Sequence, residues 1–164
     1  MDFGFEGFKT SDFDTEIEDF ELVKVRKMDR HLNFGEGGSV LATPTIHERV
    51  IYFTSADNHV YAVDAETGKE KWRFKTHGEL FSTPAISKNV LFVGSYDKNL
   101  YALTLEGKEI WRFRTGGKIT SSPFVHKNLV LIGSNDGYLY AVDKETSKEI
   151  WKFKTGDWIV SSPT

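Results

Sequence analysis

The chain has 164 residues, a formal net charge of −3 and no cysteine, and 39% of its residues are hydrophobic. This composition is typical of a globular protein, and it excludes a disulfide scaffold, a thiolate metal site and a cysteine nucleophile. The nearly balanced charge argues against a nucleic-acid partner, and no apolar run approaches the roughly 20 residues of a membrane-spanning helix.

The first 20 residues differ in composition from the rest of the chain. They contain seven acidic residues, one lysine and five phenylalanines, a net charge of −6, whereas residues 21–164 carry 20 bases and 17 acids, a net charge of +3. Acidic residues alternating with aromatic ones are typical of a flexible interaction tail. We predict such a tail over 1–20, which either docks on its own domain or a partner or is simply frayed. Because no basic segment followed by an apolar one opens the sequence, we expect a cytoplasmic protein.

The dominant feature of the sequence is a repeat with a period of about 40 residues. Three units agree at many positions, and the spacing between equivalent positions is 39 or 40 residues. A fixed period of this length is typical of solenoids and propellers. The units span 44–83, 84–122 and 123–162, and 163–164 start another. The clearest recurring residues are Pro44, Pro84, Pro123 and Pro163; Asp57, Asp97 and Asp136; Tyr61, Tyr101 and Tyr140; and Trp72, Trp111 and Trp151.

In chain order, every unit predicts four short β-strands. The first follows the proline, whose missing N–H removes no ladder hydrogen bond at a strand start. The second is apolar on both faces, as in VLFVG at 90–94, and is therefore expected to be buried on both. A hairpin turn that contains aspartate leads to the third strand. The fourth alternates aromatic and basic residues, as in IWRFRT at 110–115, which is typical of a half-exposed outer strand.

Four antiparallel strands in every repeat, without helical periodicity anywhere, predict an all-β fold built from β-propeller blades. We predict three full blades preceded by a diverged half blade at 21–43. A blade has two apolar faces and buries them by stacking on its neighbours. About three and a half blades form only a partial propeller, because a closed ring needs roughly four to eight. We therefore expect the ring to be completed by missing blades of a longer chain or by a second copy.

The turn between the third and fourth strands carries a family resemblance. The segment AVDAETGKEKW at 62–72 fits the pattern A-x-D-x-x-T-G-K-x-x-W, which resembles the tryptophan-docking motif of the pyrroloquinoline-quinone (PQQ) repeat propellers. The second unit departs from it by Thr104 at the aspartate, and the third by Ser147 at the glycine. The matching residues are Ala62, Asp64, Thr67, Gly68, Lys69 and Trp72; Ala102, Gly107, Lys108 and Trp111; and Ala141, Asp143, Thr146, Lys148 and Trp151.

This resemblance implies a structural role for the matching residues, since in that family the tryptophan stacks between adjacent blades while the aspartate and threonine brace the turn. The family includes quinoprotein dehydrogenases and an outer-membrane-assembly lipoprotein. PQQ and calcium would be implied as cofactors only by analogy with the dehydrogenases. The absence of cysteine and of an acid cluster like theirs leads us to expect no cofactor, no metal site, no catalytic residue and no enzymatic activity.

Function is expected where the units differ, because a residue common to all units is needed by every blade. The loop from a fourth strand to the next first strand is such a place, and we expect it at the mouth of the propeller channel. We predict a non-catalytic protein-interaction scaffold; the alternatives, in descending order, are ligand-sensing or PQQ-type binding in a larger protein and a quinoprotein dehydrogenase fragment. Ordinary loop drift would also explain the differences. The candidate contacts for a ligand or partner are Ser39, Glu79, Lys118 and Trp158.

Overall fold

In a computed structural model, which describes residues 39–163, the chain forms three four-stranded antiparallel sheets and no helix. The predicted all-β class with four-stranded blades is thereby confirmed. The tail predicted at 1–20, and the half blade at 21–43 except for residues 39–43, lie outside the described residues. The strands are β1 (Thr45–His47), β2 (Val50–Thr54), β3 (His59–Asp64), β4 (Glu70–Lys75), β5 (Ala85–Ser87), β6 (Val90–Gly94), β7 (Asn99–Thr104), β8 (Glu109–Arg114), β9 (Phe124–His126), β10 (Leu129–Gly133), β11 (Tyr138–Asp143) and β12 (Glu149–Lys154).

Within each sheet the strands lie side by side in chain order, from β1–β4 in the first sheet to β9–β12 in the third. The register is the same in all three. A small residue opposes each indole on the fourth strand: Ala62 pairs with Trp72, and the second and third sheets repeat this pair. A β-bulge follows immediately after that alanine in every sheet.

Consecutive sheets pack face to face. We call the side that points to the next sheet along the chain the forward face, and the opposite side the rear face. The forward face of the first sheet, including Tyr52 and Val60, packs with the rear face of the second, including Leu91 and Tyr101, in one buried cluster. The second and third sheets form an equivalent cluster. The apolar runs in the second strands are buried on both sides because they lie between two such interfaces.

The connections between sheets add contacts that recur with the repeat. Leu80 and Ile119, one in each connection, are completely buried in the two clusters. Ile119 lies so close to Gly94 that a Cβ on this glycine would overlap the Ile119 side chain. The N–H of Thr83 donates to the Ser122 Oγ at 2.8 Å, 39 residues further along the chain. These contacts hold the start of each sheet against its neighbour.

The first strands β1, β5 and β9 adjoin one another and so lie along the same side of the stack. The loops that lead into these three first strands therefore lie close together, at the same end of the sheets. No helix among residues 39–163 is long and apolar enough to cross a membrane.

Candidate functional site

The four predicted contact residues lie at one end of the sheets, which we call the loop end. There the connection into each sheet meets that sheet's hairpin between second and third strands. The carbonyl oxygen of Ser39 accepts from Ala56 N at 3.0 Å, and that of Glu79 from Tyr96 N at 2.9 Å. The carbonyl oxygen of Lys118 accepts a hydrogen bond of 2.9 Å from a backbone N–H of the third hairpin. The backbone is thus held in the same way while the side chains differ.

These side chains are not joined to one another. Ser39, Glu79, Lys118 and Trp158 are all exposed, and within residues 39–163 no hydrogen bond or ion pair links any two of them. Trp158 has 67% of its surface exposed. The four residues therefore form a row of separate exposed groups rather than a preassembled pocket, and a partner would have to contact several of them at once.

An aromatic cluster at the loop end of the second sheet was not predicted from the sequence. The rings of Phe81 and Tyr96 have centroids 4.7 Å apart, and the Lys118 Nζ lies 4.6 Å from the Tyr96 centroid. This is a cation–π geometry. The third sheet has Thr120 and Asn135 at the equivalent positions, joined by a hydrogen bond of 3.3 Å. The residue types at these two positions differ between units, and this difference in the sequence could have revealed the cluster.

Asp97 and Asp136 join their hairpins to the connections that precede them. Asp97 accepts hydrogen bonds from the Tyr101 hydroxyl at 2.6 Å, from Asn99 N at 2.9 Å and from His77 N at 3.0 Å. Asp136 is placed equivalently and accepts from the N–H of Gly116 at 2.7 Å. Hairpin hydrogen bonds were expected from the sequence, but the bond to the connection was not. The spacing D-x-x-x-Y in all units was the available signal for the hydrogen bond from the tyrosine hydroxyl to the aspartate.

Electrostatics agree with a structural role for Asp97. Its partial burial alone would raise the carboxyl pKa, but the hydrogen bonds from Tyr101, His77 and Asn99 outweigh burial and hold the pKa below its ordinary value. Burial, followed by the hydrogen bond to Asp97, raises the pKa of Tyr101 above its usual range. In the first sheet, burial and the hydrogen bond to Asp57 raise the pKa of Tyr61 to about 12. These tyrosines are therefore neutral hydrogen-bond donors at ordinary pH.

Acidification is expected to destabilise the chain through Asp97. Because its pKa is lower in the folded state than in the unfolded state, its contribution is fully present above about pH 4 and is lost as the pH falls through the folded-state pKa. Urea unfolding at several pH values should show a fall in the free energy of unfolding on acidification that is shallower in Asp97→Asn. The exposed, non-titrating control Asn89→Ala should retain the wild-type slope. Equal slopes for the two variants would contradict this assignment.

The residues of the docking motif surround the two internal sheet interfaces. The Trp72 Nε1 donates to the Leu105 carbonyl of the next sheet at 2.8 Å, and the Trp111 Nε1 donates to the Lys144 carbonyl at 3.1 Å. The Trp72 ring lies on Gly107, where a Cβ would be 2.6 Å from the indole Cδ2. The docking role that the resemblance implies for these residues, and their contribution to stability, stay predictions.

The turn of the motif is braced by side chains. The Asp64 Oδ1 accepts from both the backbone N–H and the hydroxyl of Thr67 at 2.8 Å. Asp143 and Thr146 repeat this pair. In the second unit Thr104 replaces the aspartate, and its Oγ1 accepts from Lys108 N at 3.3 Å. Ala62, Ala102 and Ala141 are completely buried opposite the indoles.

Ser147 is expected to be a weak point of the third turn. Its φ is 60°, in the left-handed region, whereas the equivalent residues Gly68 and Gly107 have φ of 69° and 82°. A residue with a Cβ is strained there, and glycine is not. Ser147→Gly should therefore raise the free energy of unfolding by about 1 kcal/mol, and Gly68→Ser should lower it by a similar amount. Chemical denaturation measures both, and a loss of stability in Ser147→Gly would contradict the prediction.

Among residues 39–163, no three His, Asp or Glu side chains are grouped so that they could hold a metal ion. The recurring carboxylates lie on separate sheets, and hydrogen bonds already occupy them. The loop end carries exposed charged and aromatic groups at Glu79, Lys118 and Trp158.

Two protein-family models match this chain. The family model described as outer membrane protein assembly factor BamB matches residues 78–164, which is more than half of the chain. A second model, for the β-propeller domain of glucose, ethanol and alcohol dehydrogenases, matches residues 23–81. The chain belongs to the PQQ-repeat β-propeller family. Comparison with curated proteins finds no match.

Solved structures resemble this PQQ-repeat chain over about three quarters of its length. The computationally designed Ika4 protein has a TM-score of 0.69 at 18% identity, covering 77% of this chain and 80% of its own. BamB from Moraxella catarrhalis has a TM-score of 0.64 at 21% sequence identity, and the match covers 71% of this chain and 38% of BamB. Quinohemoprotein alcohol dehydrogenase ADHIIG from Pseudomonas putida has a TM-score of 0.67 at 29% sequence identity. The match covers 72% of this chain and 21% of the dehydrogenase. The chain thus matches well under half the length of BamB and of the dehydrogenase.

Proposed function

We propose that this chain is a non-catalytic scaffold that binds a protein partner at the loop end. The observation that carries the proposal is the contrast between a repeated backbone and unrepeated side chains. The carbonyl oxygens of Ser39, Glu79 and Lys118 make the same hydrogen bond in consecutive units. The side chains at these positions are hydroxyl, acidic and basic, and that of Trp158 is aromatic. A row of different groups on a uniform support suits recognition of one asymmetric surface.

The exposure of these groups supports the proposal. Sheet packing does not require the side chains of Glu79, Lys118 and Trp158, since all three are exposed. Tryptophan is among the residue types most enriched at the energetic centres of protein interfaces. Charged groups of both signs in the same row of residues would favour one orientation of a partner. The matching family model is named for an assembly factor, which agrees with a role in holding other proteins.

The test compares partner capture by two sets of variants. Glu79→Lys, Lys118→Glu and Trp158→Ser together alter the loop end, while Lys88→Glu and Lys127→Glu alter exposed turns between first and second strands. Proteins from the native host that bind the wild type and the control pair should be lost from the loop-end variant. Capture of the same proteins by all three would contradict the proposal.

Deletion of residues 1–20 tests the tail separately. If the acidic, phenylalanine-rich segment is an interaction tail, its removal weakens partner capture while the loop-end residues stay intact. If it is a frayed terminus, the deletion leaves capture unchanged. The scaffold proposal at the loop end stands or fails with the loop-end variants alone. A cytoplasmic location also stays a prediction, to be tested by cell fractionation.

Binding of a small ligand is the second candidate, and the aromatic cluster at the second sheet favours it. A planar ligand with negative charge would fit beside Tyr96 and Lys118, which already lie in a cation–π geometry. Titration with PQQ and calcium, followed by thermal unfolding, tests this alternative, with Lys118→Ala and Tyr96→Ala as variants. Turnover of an alcohol with a dye acceptor would instead support a dehydrogenase fragment, and we expect none.

A further inference from the structure

Three basic residues meet at the loop end of the second sheet. Lys98 lies in the hairpin between β6 and β7, Arg114 ends β8, and Lys118 lies in the connection to the third sheet. The buried Thr115 joins these segments. Its N–H donates to the Lys98 carbonyl oxygen at 2.9 Å, and its hydroxyl lies 3.1 Å from that oxygen and 2.8 Å from the Gly117 carbonyl oxygen. The backbone next to Thr115 and Gly117 therefore brings all three bases to one place.

The equivalent positions of the other two sheets do not carry this charge. The formal charge of the set is +3 in the second unit, 0 in the first and +1 in the third. A feature that every blade needs would recur in all units, so the fold does not require the three bases together. The equivalent positions are Asn58, Lys75 and Glu79 in the first unit and Gly137, Lys154 and Trp158 in the third.

The positive charge of the three bases is not neutralised within the described part of the chain. None of the three forms an ion pair there, whereas Arg112, two residues before Arg114, is held by Glu109 at 2.7 Å. Asp97 precedes Lys98, but its carboxylate accepts hydrogen bonds from the hairpin and from the preceding connection. The bases are therefore available to the anionic groups of a partner.

An aromatic surface adjoins the three bases. Tyr96 lies in the same hairpin as Lys98, and its ring contacts both the Phe81 ring, at 4.7 Å between centroids, and the Lys118 Nζ, at 4.6 Å. Both rings are half-buried, so part of each faces solvent. Aromatic side chains prefer offset or edge contacts with other rings. We call the three bases with Tyr96 and Phe81 the second-sheet patch, which suits a ligand that has both carboxylates and an aromatic ring.

We propose that the second-sheet patch binds an acidic segment of a protein partner, with carboxylates facing the three bases and an aromatic side chain against Tyr96 and Phe81. This inference rests on the proposed scaffold function and names the chemistry of the partner. A polypeptide fits better than a nucleic acid, because two carboxylates adjoin the patch. Asp97 follows Tyr96, and the exposed Glu79 belongs to the connection whose carbonyl bonds to Tyr96 N. They would repel a continuous phosphate backbone, whereas a peptide can place its acids opposite the bases alone.

Isothermal titration calorimetry of the 164-residue chain with the synthetic peptide GEDFEDG tests the proposal. The wild type should bind the peptide at concentrations up to about 1 mM. A triple variant, Lys98→Gln, Arg114→Gln and Lys118→Gln, should bind it about tenfold more weakly, because each exposed charge pair contributes roughly a factor of two. The peptide GEDSEDG, which lacks the ring, should bind more weakly than GEDFEDG to the wild type but not to Tyr96→Ala.

Two further variants separate a specific site from general electrostatics. A control triple removes the same charge from exposed turns at the other end of the sheets and should bind like the wild type; it consists of Lys88→Gln, Lys108→Gln and Lys127→Gln. Glu79→Gln should instead strengthen binding about twofold, because it removes a like charge beside the patch. A merely structural effect would not give opposite changes at Glu79 and Lys118.

Each other outcome contradicts the proposal in its own way. If GEDFEDG binds neither the full chain nor the variant that lacks residues 1–20, the patch does not recognise acidic segments. Binding to the shortened variant alone would identify the chain's own acidic segment as the occupant instead of a partner. Equal weakening by the two triple variants would remove the site, and tighter binding of a single-stranded oligonucleotide would assign it to nucleic acid.

Failure of this inference is distinguishable from failure of the scaffold function. If capture of host proteins depends on the loop-end variants while GEDFEDG does not bind, the scaffold function stands and its partner has a different chemistry. If capture is unchanged in those variants, the scaffold function fails whatever the peptide does. Circular dichroism confirms that each variant is folded.

Discussion

Leu100→Ala is expected to lower the free energy of unfolding by about 2–5 kcal/mol, whereas Leu139→Ala should lower it by about 1 kcal/mol. Both leucines are the second residue of a third strand, and both point to a forward face. Leu100 is completely buried between the second and third sheets. Leu139 lies on the forward face of the third sheet and is only half-buried. The same substitution therefore leaves a cavity in one sheet and little more than lost surface contact in the other.

Urea denaturation at equilibrium measures this difference. Equal losses of stability in the two variants would contradict the stacking, because they would mean that the second sheet has no neighbour on its forward face in solution.

Gly117→Ala should lower the free energy of unfolding by about 3 kcal/mol or prevent folding, because the added methyl group has no space. A Cβ on Gly117 would overlap the backbone nitrogen of Asp136, and backbone atoms of the hairpin cannot move aside as a side chain can. The close approach allows the Asp136 carboxylate to accept the N–H of Gly116. The substitution would therefore also weaken that hydrogen bond.

Gly156→Ala is the matched control, since it lies in the equivalent connection of the third unit and nothing is within 4 Å of its Cβ position. It should change stability by no more than about 0.5 kcal/mol. Thermal unfolding followed by circular dichroism is sufficient for a difference of this size. If Gly117→Ala were as stable as Gly156→Ala, the connection would not lie against the hairpin.

The fold could be predicted from the sequence because its information is local and repeated. Each unit of about 40 residues carries its own proline, apolar run, aspartate turn and alternating outer strand. The β-bulge after Ala62 could not be predicted, because it depends on the exact register between the third and fourth strands. The motif turn was foreseen through the family resemblance, and its hydrogen bonds between Asp64 and Thr67 are local.

The candidate site was predictable only in part. The repeat predicted that Glu79 and Lys118 would occupy equivalent places in the fold, because residues at the same position of each repeat unit have the same backbone surroundings. The contact of Lys118 with Tyr96 was not foreseen, since it depends on how one sheet's exit loop lies against its own hairpin. Trp111 and Trp151 belong to the same motif, and only the lack of a following sheet among residues 39–163 distinguishes Trp151.

Hydrogen exchange of the four indole N–H groups, followed by NMR, tests most directly whether the sheets are locked face to face. The Trp72 and Trp111 N–H groups donate to carbonyl oxygens of the next sheet, so they should exchange much more slowly than the exposed Trp158 indole. Their protection should be lost together with global unfolding. Exchange of either Trp72 or Trp111 at the rate of Trp158 would contradict the stacked arrangement.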